Sequence, residues 1–286
     1  MRSLLFVPGD SARKFARARQ GTADALIIDL EDSVGLDGKE AARGIARTML
    51  EADRDRQQLY VRVNALDTGL TLADLASVMP ARPDGIVLPK CASGDDVRRL
   101  SHYLDAFEAA SGHADGATRI LGIVTETAAS LFGLGSYREG FSRLAGLMWG
   151  AEDLAASVGA TENGDAGGYH PPFQMARNLC LMAAAAAGTV AIDTVSTDIG
   201  DIARVEAEAR IARRDGFLAK AVIHPTHVDA VNAAFSPGPA ELAWAKRIIA
   251  AFAAAPGTGV LRIDGKMIDR PHLRAAERLV SSERGQ

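Results

Sequence analysis

Short apolar runs alternate along the chain with stretches that carry a helical repeat. In order they are Leu4 to Val7, Ala25 to Leu30, Leu59 to Val63, Gly85 to Leu88, Arg119 to Val124, Leu144 to Trp149, Thr189 to Val195 and Ala219 to Ile223. Polar residues stand at or just past their ends: Asp10; Asp29, Glu31 and Asp32; Arg62 and Asn64; Lys90; Glu126; Glu152 and Asp153; Asp193 and Asp198; His224. Continuous apolar runs of this length, joined by helical segments, predict buried parallel strands with crossover helices. Eight such units predict an α/β chain closed into a (β/α)8 TIM barrel, whose reactive groups gather at the C-terminal ends of the strands. An open doubly wound sheet is the alternative that the pattern leaves standing.

The pattern changes near Phe235. Ser236-Pro237-Gly238-Pro239 interrupts regular structure, because both prolines lack a backbone donor and glycine resists ordering. We therefore expect a barrel over residues 1–235 and a separate extension over 236–286. In the extension a helix is expected from Ala240 to Ala255, a turn at Pro256 to Gly259, extended chain from Val260 to Ile268 and a last helix from about Pro271. The run Ala183 to Ala187 should pack a helix closely on the barrel.

Composition narrows the class. With 286 residues, 48% of them hydrophobic, the chain can bury a full barrel core. A net charge of -4 with acids and bases interspersed offers no basic stripe for nucleic acid and no polybasic membrane signal. No run reaches the roughly eighteen apolar residues of a membrane span, and the chain opens on its first strand without a secretory pattern. Cys91 and Cys180 fit no zinc spacing and no disulfide framework, which points to a reducing cytoplasm.

At the predicted rim, Glu126 and Asp153 follow adjacent strands. Two carboxylates without a nearby Cys/His cluster suit hard Mg2+, with Mn2+ as an alternative, rather than zinc. Asp153 could instead cap the helix beginning at Leu154. Arg62 and Asn64, two apart on a strand, should face one side, where the guanidinium can grip a substrate carboxylate or steady an oxyanion. Arg62 can equally pair with the acids Asp29, Glu31 and Asp32. Of these, Asp29 and Glu31 share a face and orient waters or Arg62, while Asp32 faces away or caps the next segment. Lys39 and Arg43, four apart on a helix, read as a solvated face or as partners of the same acids.

The segment Phe6 to Lys14 reads as a strand end, a turn and a helix start capped by Ser11 or Asp10. Arg13 and Lys14 fall in the first turn, where positive charge opposes the helix dipole unless an anion is bound there. Neither a GxxxxGK nor a GxGxxG pattern is present, so nucleotide readings are weak. Lys90 could form a Schiff base, but a lysine among carboxylates is held charged and is a poor nucleophile. His224 is a base or a structural residue, and Cys91 and Met148 read as packing.

Taken together, Arg2-Ser3-Leu4-Leu5-Phe6-Val7-Pro8-Gly9-Asp10, the run Ile28 to Val34 with Lys39 and Arg43, Val61 to Asn64, Leu88-Pro89-Lys90, Glu126-Thr127, Gly150-Ala151-Glu152-Asp153-Leu154, Ala191 to Val195, Val222-Ile223-His224-Pro225 and Asp264 to Pro271 resemble the citrate lyase beta-subunit-like family of the HpcH/HpaI aldolase superfamily. The resemblance is in order and spans nearly the whole chain. It implies a Mg2+-dependent carbon–carbon lyase acting on a 3-hydroxyacyl thioester of coenzyme A, of malyl-CoA or citramalyl-CoA type. Glu126 and Asp153 match the family's metal ligands and Arg62 its substrate arginine. Phe6, Arg13 and Lys14, together with Gly150 and Ala151, match the part that holds coenzyme A and substrate. Asp29, Glu31 and Lys90 would support them.

The family often forms trimers in which a neighbour's C-terminal segment closes over the site and brings an aspartate. Asp269 is chosen for that role over Asp264. The implied chemistry is a retro-Claisen cleavage: Asp269 takes the hydroxyl proton, a small 2-oxo acid is released, and Arg62 stabilises the thioester enolate. Thr125, Ser196 and the loop Gly168 to Pro172 depart from the family pattern and bear on specificity. A citrate lyase beta subunit, a malyl-CoA thioesterase, a metal-dependent aldolase on free hydroxy-oxo acids and a non-catalytic coenzyme A binder remain as alternatives.

Overall fold

The computed structural model describes residues 1–53, 56–165 and 167–284, and they form two compact units, residues 1–235 and the extension from Ser236. Residues 285 and 286 of the expected extension lie outside the described residues. Strands in the first unit are β1 (Ser3–Pro8), β2 (Ala25–Asp29), β3 (Gln58–Arg62), β4 (Gly85–Leu88), β5 (Arg119–Ile123), β6 (Leu144–Met148), a two-residue pair β7 (Gly164–Asp165) and β8 (Gly168–Tyr169), β9 (Val190–Asp193) and β10 (Ala219–Val222). All but the β7–β8 pair close into a parallel barrel in the order β1-β10-β9-β6-β5-β4-β3-β2. The eight apolar runs are thus the eight barrel strands, each within a residue or two of its expected ends. The open doubly wound alternative is excluded by closure of β1 on β10, with Leu4 opposite Ala221.

Alternation along each strand divides the core. Leu4, Ile27, Tyr60, Val87, Leu121, Met148, Ile192 and Ala221 fill the barrel interior. Their strand neighbours, among them Leu5, Leu26, Val61, Ile86, Leu147 and Val222, meet the helical shell. Gly85 makes room inside the barrel, since a Cβ there would lie 2.4 Å from the Tyr60 ring. A register shift between Ile120 and Leu121 lets β6 carry one extra residue opposite β5.

The shell comprises α1 (Ala12–Arg19), α2 (Lys39–Leu50), α3 (Thr71–Val78), α4 (Gly94–Ser111), α5 (Ala128–Gly133), α6 (Glu152–Val158), α7 (Pro171–Ala187), α8 (Ile202–Asp215) and α9 (Val228–Phe235). Side-chain caps start several of them: Ser11 accepts from Lys14 N–H, Thr127 from Ser130 and Asp201 from Arg204. Gly159 ends α6 in the left-handed conformation that a residue with a Cβ enters at a cost. In the alanine run of α7, Ala183 and Ala184 are buried, as close packing on the barrel requires. At the far end of the barrel Arg143 joins α4 to the sheet, reaching Glu108 at 2.7 and 2.8 Å and Asp105 and Asp115 at the surface. That acidic cluster is therefore already served by a guanidinium. No helix among the described residues is long and apolar enough to cross a membrane.

The second unit consists of α10 (Pro239–Ala254), the hairpin β11 (Val260–Ile263) and β12 (Lys266–Asp269), and α11 (Arg270–Arg284). Ala245, Ile248, Phe252, Ile268 and Ala276 form its small core. The extended run expected from Val260 to Ile268 folds back on itself because Asp264-Gly265, with φ of 50° and 78°, makes the tight turn that Asp-Gly favours. Arg247 holds Asp264 through both carboxylate oxygens, at 2.9 and 2.8 Å, and lies over the Trp244 ring.

Candidate active site

The register of β2 and β3 places Asp29 opposite Arg62, and everything at this mouth grows from that pair. Arg62 Nε and Nη2 donate to the two Asp29 oxygens at 2.7 and 2.8 Å, a forked bond between buried groups. Burial opposes ionisation of Asp29, but the hydrogen bonds and charge of Arg62 outweigh it and hold the carboxyl below its ordinary range. Arg62 Nη1 also lies 2.8 Å from Glu31 and 3.3 Å from Asp32. Of the readings of Asp32, the pairing with Arg62 holds, and facing away or capping does not, because β2 ends at Asp29 and strand alternation stops there. The same holds for Asn64, two residues beyond the end of β3. Instead of flanking Arg62, its amide donates to Asp74 on α3 at 2.7 Å and to the Leu30 carbonyl at 3.1 Å.

Lys39 and Arg43 are neither a solvated face nor ion-pair partners of the mouth acids. Lys39 Nζ donates to the carbonyls of Leu30 and Glu31, at 2.7 and 2.6 Å, and so fixes the loop carrying the acids. Arg43 pairs with buried Asp74 at 2.7 Å.

Lys90 ties the acids together. Its ammonium is 2.6 Å from Glu31 Oε1 and 3.3 Å from Asp153, while its backbone N–H donates to Glu126. The residue sits at φ 50°, a conformation that costs a side-chain-bearing residue on the order of 1 kcal/mol or more. Burial alone would depress its pKa, yet Glu31, Glu126 and Asp153 raise it above the usual lysine range. Lys90 is thus a held cation, and the Schiff-base reading has no support.

Glu126 is buried beneath Gly150, where an added Cβ would come 2.8 Å from Glu126 Cγ. Burial pushes its carboxyl up to about 8, helped by Asp153 and Glu31 and opposed by the Lys90 N–H. Asp153 is not a helix cap: α6 begins at Glu152, its cap residue is Ala151, and Asp153 projects from the first turn with its side chain about one-third exposed. Thr125 accepts a hydrogen bond from Gly150 N–H at 3.0 Å and so locks the turn that brings these residues near.

A divalent cation fits this mouth. Five acids, Asp29, Glu31, Asp32, Glu126 and Asp153, gather here around two cations, Arg62 and Lys90, and a bound cation would favour the ionised form of Glu126 that burial opposes. Buried Glu31 Oε2 is met by Arg62 Nη1 at 2.8 Å, though not in hydrogen-bond geometry. Hard oxygen donors of this kind suit Mg2+ or Mn2+.

Beside the mouth, a groove of about 310 Å³ runs between the ends of β1 and β10 and the start of α1, lined by Phe6, Arg13, Lys14, Arg17, Ile223 and His224. Phe6 belongs to both places, for the Arg62 guanidinium lies over its ring at 5.0 Å. Arg17, a third cation here, was missed because it lies one helical turn beyond the capped start of α1. His224 accepts from Thr226 N–H and caps the short turn after β10, which agrees with its structural reading.

Asp193 does not join the mouth. It follows Ile192 of the barrel interior and so faces the helical shell, where Lys220, Arg177 and the Trp149 indole reach it at 3.0, 3.2 and 2.7 Å. A separate cavity of about 330 Å³ opens beside this group, between α7, α8 and the β7–β8 hairpin. Tyr169 of that hairpin packs edge-on against buried Trp149, and Ser196 donates to Glu208, so of the residues that depart from the expected pattern these belong to the outer region, while Thr125 belongs to the mouth.

The model of the HpcH/HpaI aldolase/citrate lyase family matches residues 2–225. The chain belongs to this family. Among curated relatives in it, a (3S)-malyl-CoA thioesterase of Cereibacter sphaeroides is 34% identical, covering 98% of this chain and 93% of the relative. A citrate lyase subunit beta of Haemophilus influenzae is 33% identical over 96% of this chain and 94% of its own length. Among solved structures, the CitE protein of Mycobacterium tuberculosis in complex with magnesium, acetoacetate and coenzyme A superposes with a TM-score of 0.79 at 32% identity, covering 98% of this chain and 97% of that one. The family is enzymatic, and the CitE structure shares the fold of this chain.

Proposed function

We propose that the protein is a Mg2+-dependent carbon–carbon lyase that cleaves a 3-hydroxyacyl-CoA thioester, of malyl-CoA or citramalyl-CoA type, into a 2-oxo acid and an acyl-CoA. The observation that carries this reading is the meeting of Phe6 and Arg62, which joins a cationic groove to a carboxylate-rich mouth. Arg13, Lys14 and Arg17 would hold the phosphates of the coenzyme, with Phe6 beside its thioester arm and Gly150 and Ala151 shaping the acyl end. Glu126 and Asp153 would hold the cation, which supplies Lewis-acid polarisation of the substrate's carboxylate and hydroxyl. Arg62, fixed by Asp29, presents donors to the thioester oxygen as negative charge develops on it.

Asp269 is the proposed acceptor of the hydroxyl proton, brought by the extension of a neighbouring copy in a homotrimer. His272 Nδ1 bonds Asp269 and holds its carboxyl below the ordinary range, whereas Asp264 is occupied by its turn and by Arg247. Two free, buried cysteines agree with a reducing cytoplasm. The thioesterase reading is supported by the Cereibacter sphaeroides relative and would use the same mouth for attack of water on the thioester carbonyl, breaking the carbon–sulfur bond and releasing the hydroxy diacid and the coenzyme thiol.

The deciding experiment follows 2-oxo acid and free thiol from malyl-CoA and citramalyl-CoA, with Mg2+ and with excess EDTA. Metal-dependent oxo acid without thiol is expected; thiol without oxo acid would establish the thioesterase instead. Silence on both substrates would overturn both readings.

A further inference from the structure

Lys90 has a place in this mouth that the proposed chemistry does not use. Arg62 reaches Asp29, Asp32 and one oxygen of Glu31, while Lys90 reaches Asp153 and the other oxygen of Glu31. It holds them unequally, at 2.6 Å from Glu31 and 3.3 Å from Asp153. Its backbone is pinned through the N–H bond to Glu126, while its side chain is 31% exposed and ends a flexible four-carbon stem. Glu31 is buried and held from its other side by Arg62, 2.8 Å from Oε2.

We propose that Lys90 is an internal counter-ion that sets the affinity of the Glu126 and Asp153 pair for a divalent cation. In the metal-free chain its ammonium bridges Glu31 and Asp153; when the cation is held, Lys90 gives up Asp153 and stays on Glu31. The inference rests on the reading of Glu126 and Asp153 as the cation's ligands. Its physical basis is a competition: one carboxylate cannot serve both positive groups fully, and a like charge held nearby opposes the arriving one. The looser contact to Asp153 is the one that yields, and buried Glu31, at 2.6 Å, is where the ammonium remains. Lys90 is in this sense a positioning residue that never touches substrate.

Binding of Mn2+ to the full chain, read from the electron paramagnetic resonance of the free ion, tests this without turnover. Lys90→Met should bind Mn2+ at least tenfold more tightly than the unaltered protein, and Lys90→Gln, which keeps a donor for Glu31, should do the same. Lys90→Arg should stay within about threefold. Thermal melting adds a second readout: both neutral variants should melt lower than the unaltered protein without metal and gain more on adding Mn2+. Unchanged or weaker Mn2+ binding in both neutral variants would overturn the role of Lys90. Mn2+ binding that survives Glu126→Gln and Asp153→Asn unchanged would instead overturn the ligand assignment beneath it.

Discussion

At the scale of single residues, the mouth depends on shapes as much as on charges. Gly150→Ala brings a Cβ against Glu126 Cγ, so the carboxylate must move although no charge changes. We expect weaker Mn2+ binding in a variant that still folds, measurable by the same resonance titration. Arg62→Lys keeps a cation but loses the fork that grips Asp29, and turnover should fall on the order of a hundredfold, in line with removal of an oxyanion donor. Steady-state kinetics together with a melting curve checks it: a fall in kcat with an intact cooperative transition is the expected result. Arg62 ends β3, while Lys90 and Glu126 stand on the turns that leave β4 and β5 and Asp153 on the first helical turn after β6, and the fold class alone was enough to send all four toward one rim. The partners of Asn64 and the direction of Asp193 were not legible in the sequence: Asn64 was read by strand alternation although it lies beyond the end of β3, and Asp193 turns outward on a parity that only the register of β9 with β10 reveals. Lys39 escaped because a side chain that holds backbone carbonyls leaves no charge pattern to read.

Elements obey coarser rules, and more of them could be anticipated. Each barrel strand is a run too short and too apolar to be anything but buried, so pattern sufficed. The β7–β8 hairpin, two residues to a strand, has no such signature. Inside the barrel, Gly85→Ala would drive a methyl into the Tyr60 ring and the Arg119 carbonyl; we expect a loss of about 1–3 kcal/mol in urea unfolding. Helix α4 is tied to the sheet by Glu108, whose bonds from Arg143 and from the N–H groups of Thr118 and Gly116 outweigh its burial and lower its carboxyl to about 2. A depressed folded-state value means that the contribution is complete above the ordinary carboxylate pKa of about 4.3 and is lost as pH falls toward 2. Stability should therefore decline across that window, and Glu108→Gln should flatten the decline while lowering stability at neutral pH, both read from denaturant midpoints.

For the whole molecule, the breaker cluster at Ser236 to Pro239 marks where one unit ends and the next begins. Each has its own apolar core, so a chain ending at Phe235 should retain a cooperative melt. If Asp269 supplies the base, that truncated chain should bind coenzyme A in calorimetry yet turn over no substrate. Full activity in it would remove the extension from the chemistry. Asp269→Asn in the complete chain should behave likewise.

The two tryptophans divide between the two units. Trp149 is fully buried and bonded to Asp193, whereas Trp244 is partly exposed beneath Arg247 and Lys266. Their emission maxima should consequently differ, the buried indole fluorescing at the shorter wavelength. Each is an optical label that the chain already carries, one for the barrel and one for the extension. With Trp244→Phe or Trp149→Phe, a stopped-flow trace would report the folding of one unit at a time, and would time whether the extension organises before the barrel, with it or after it.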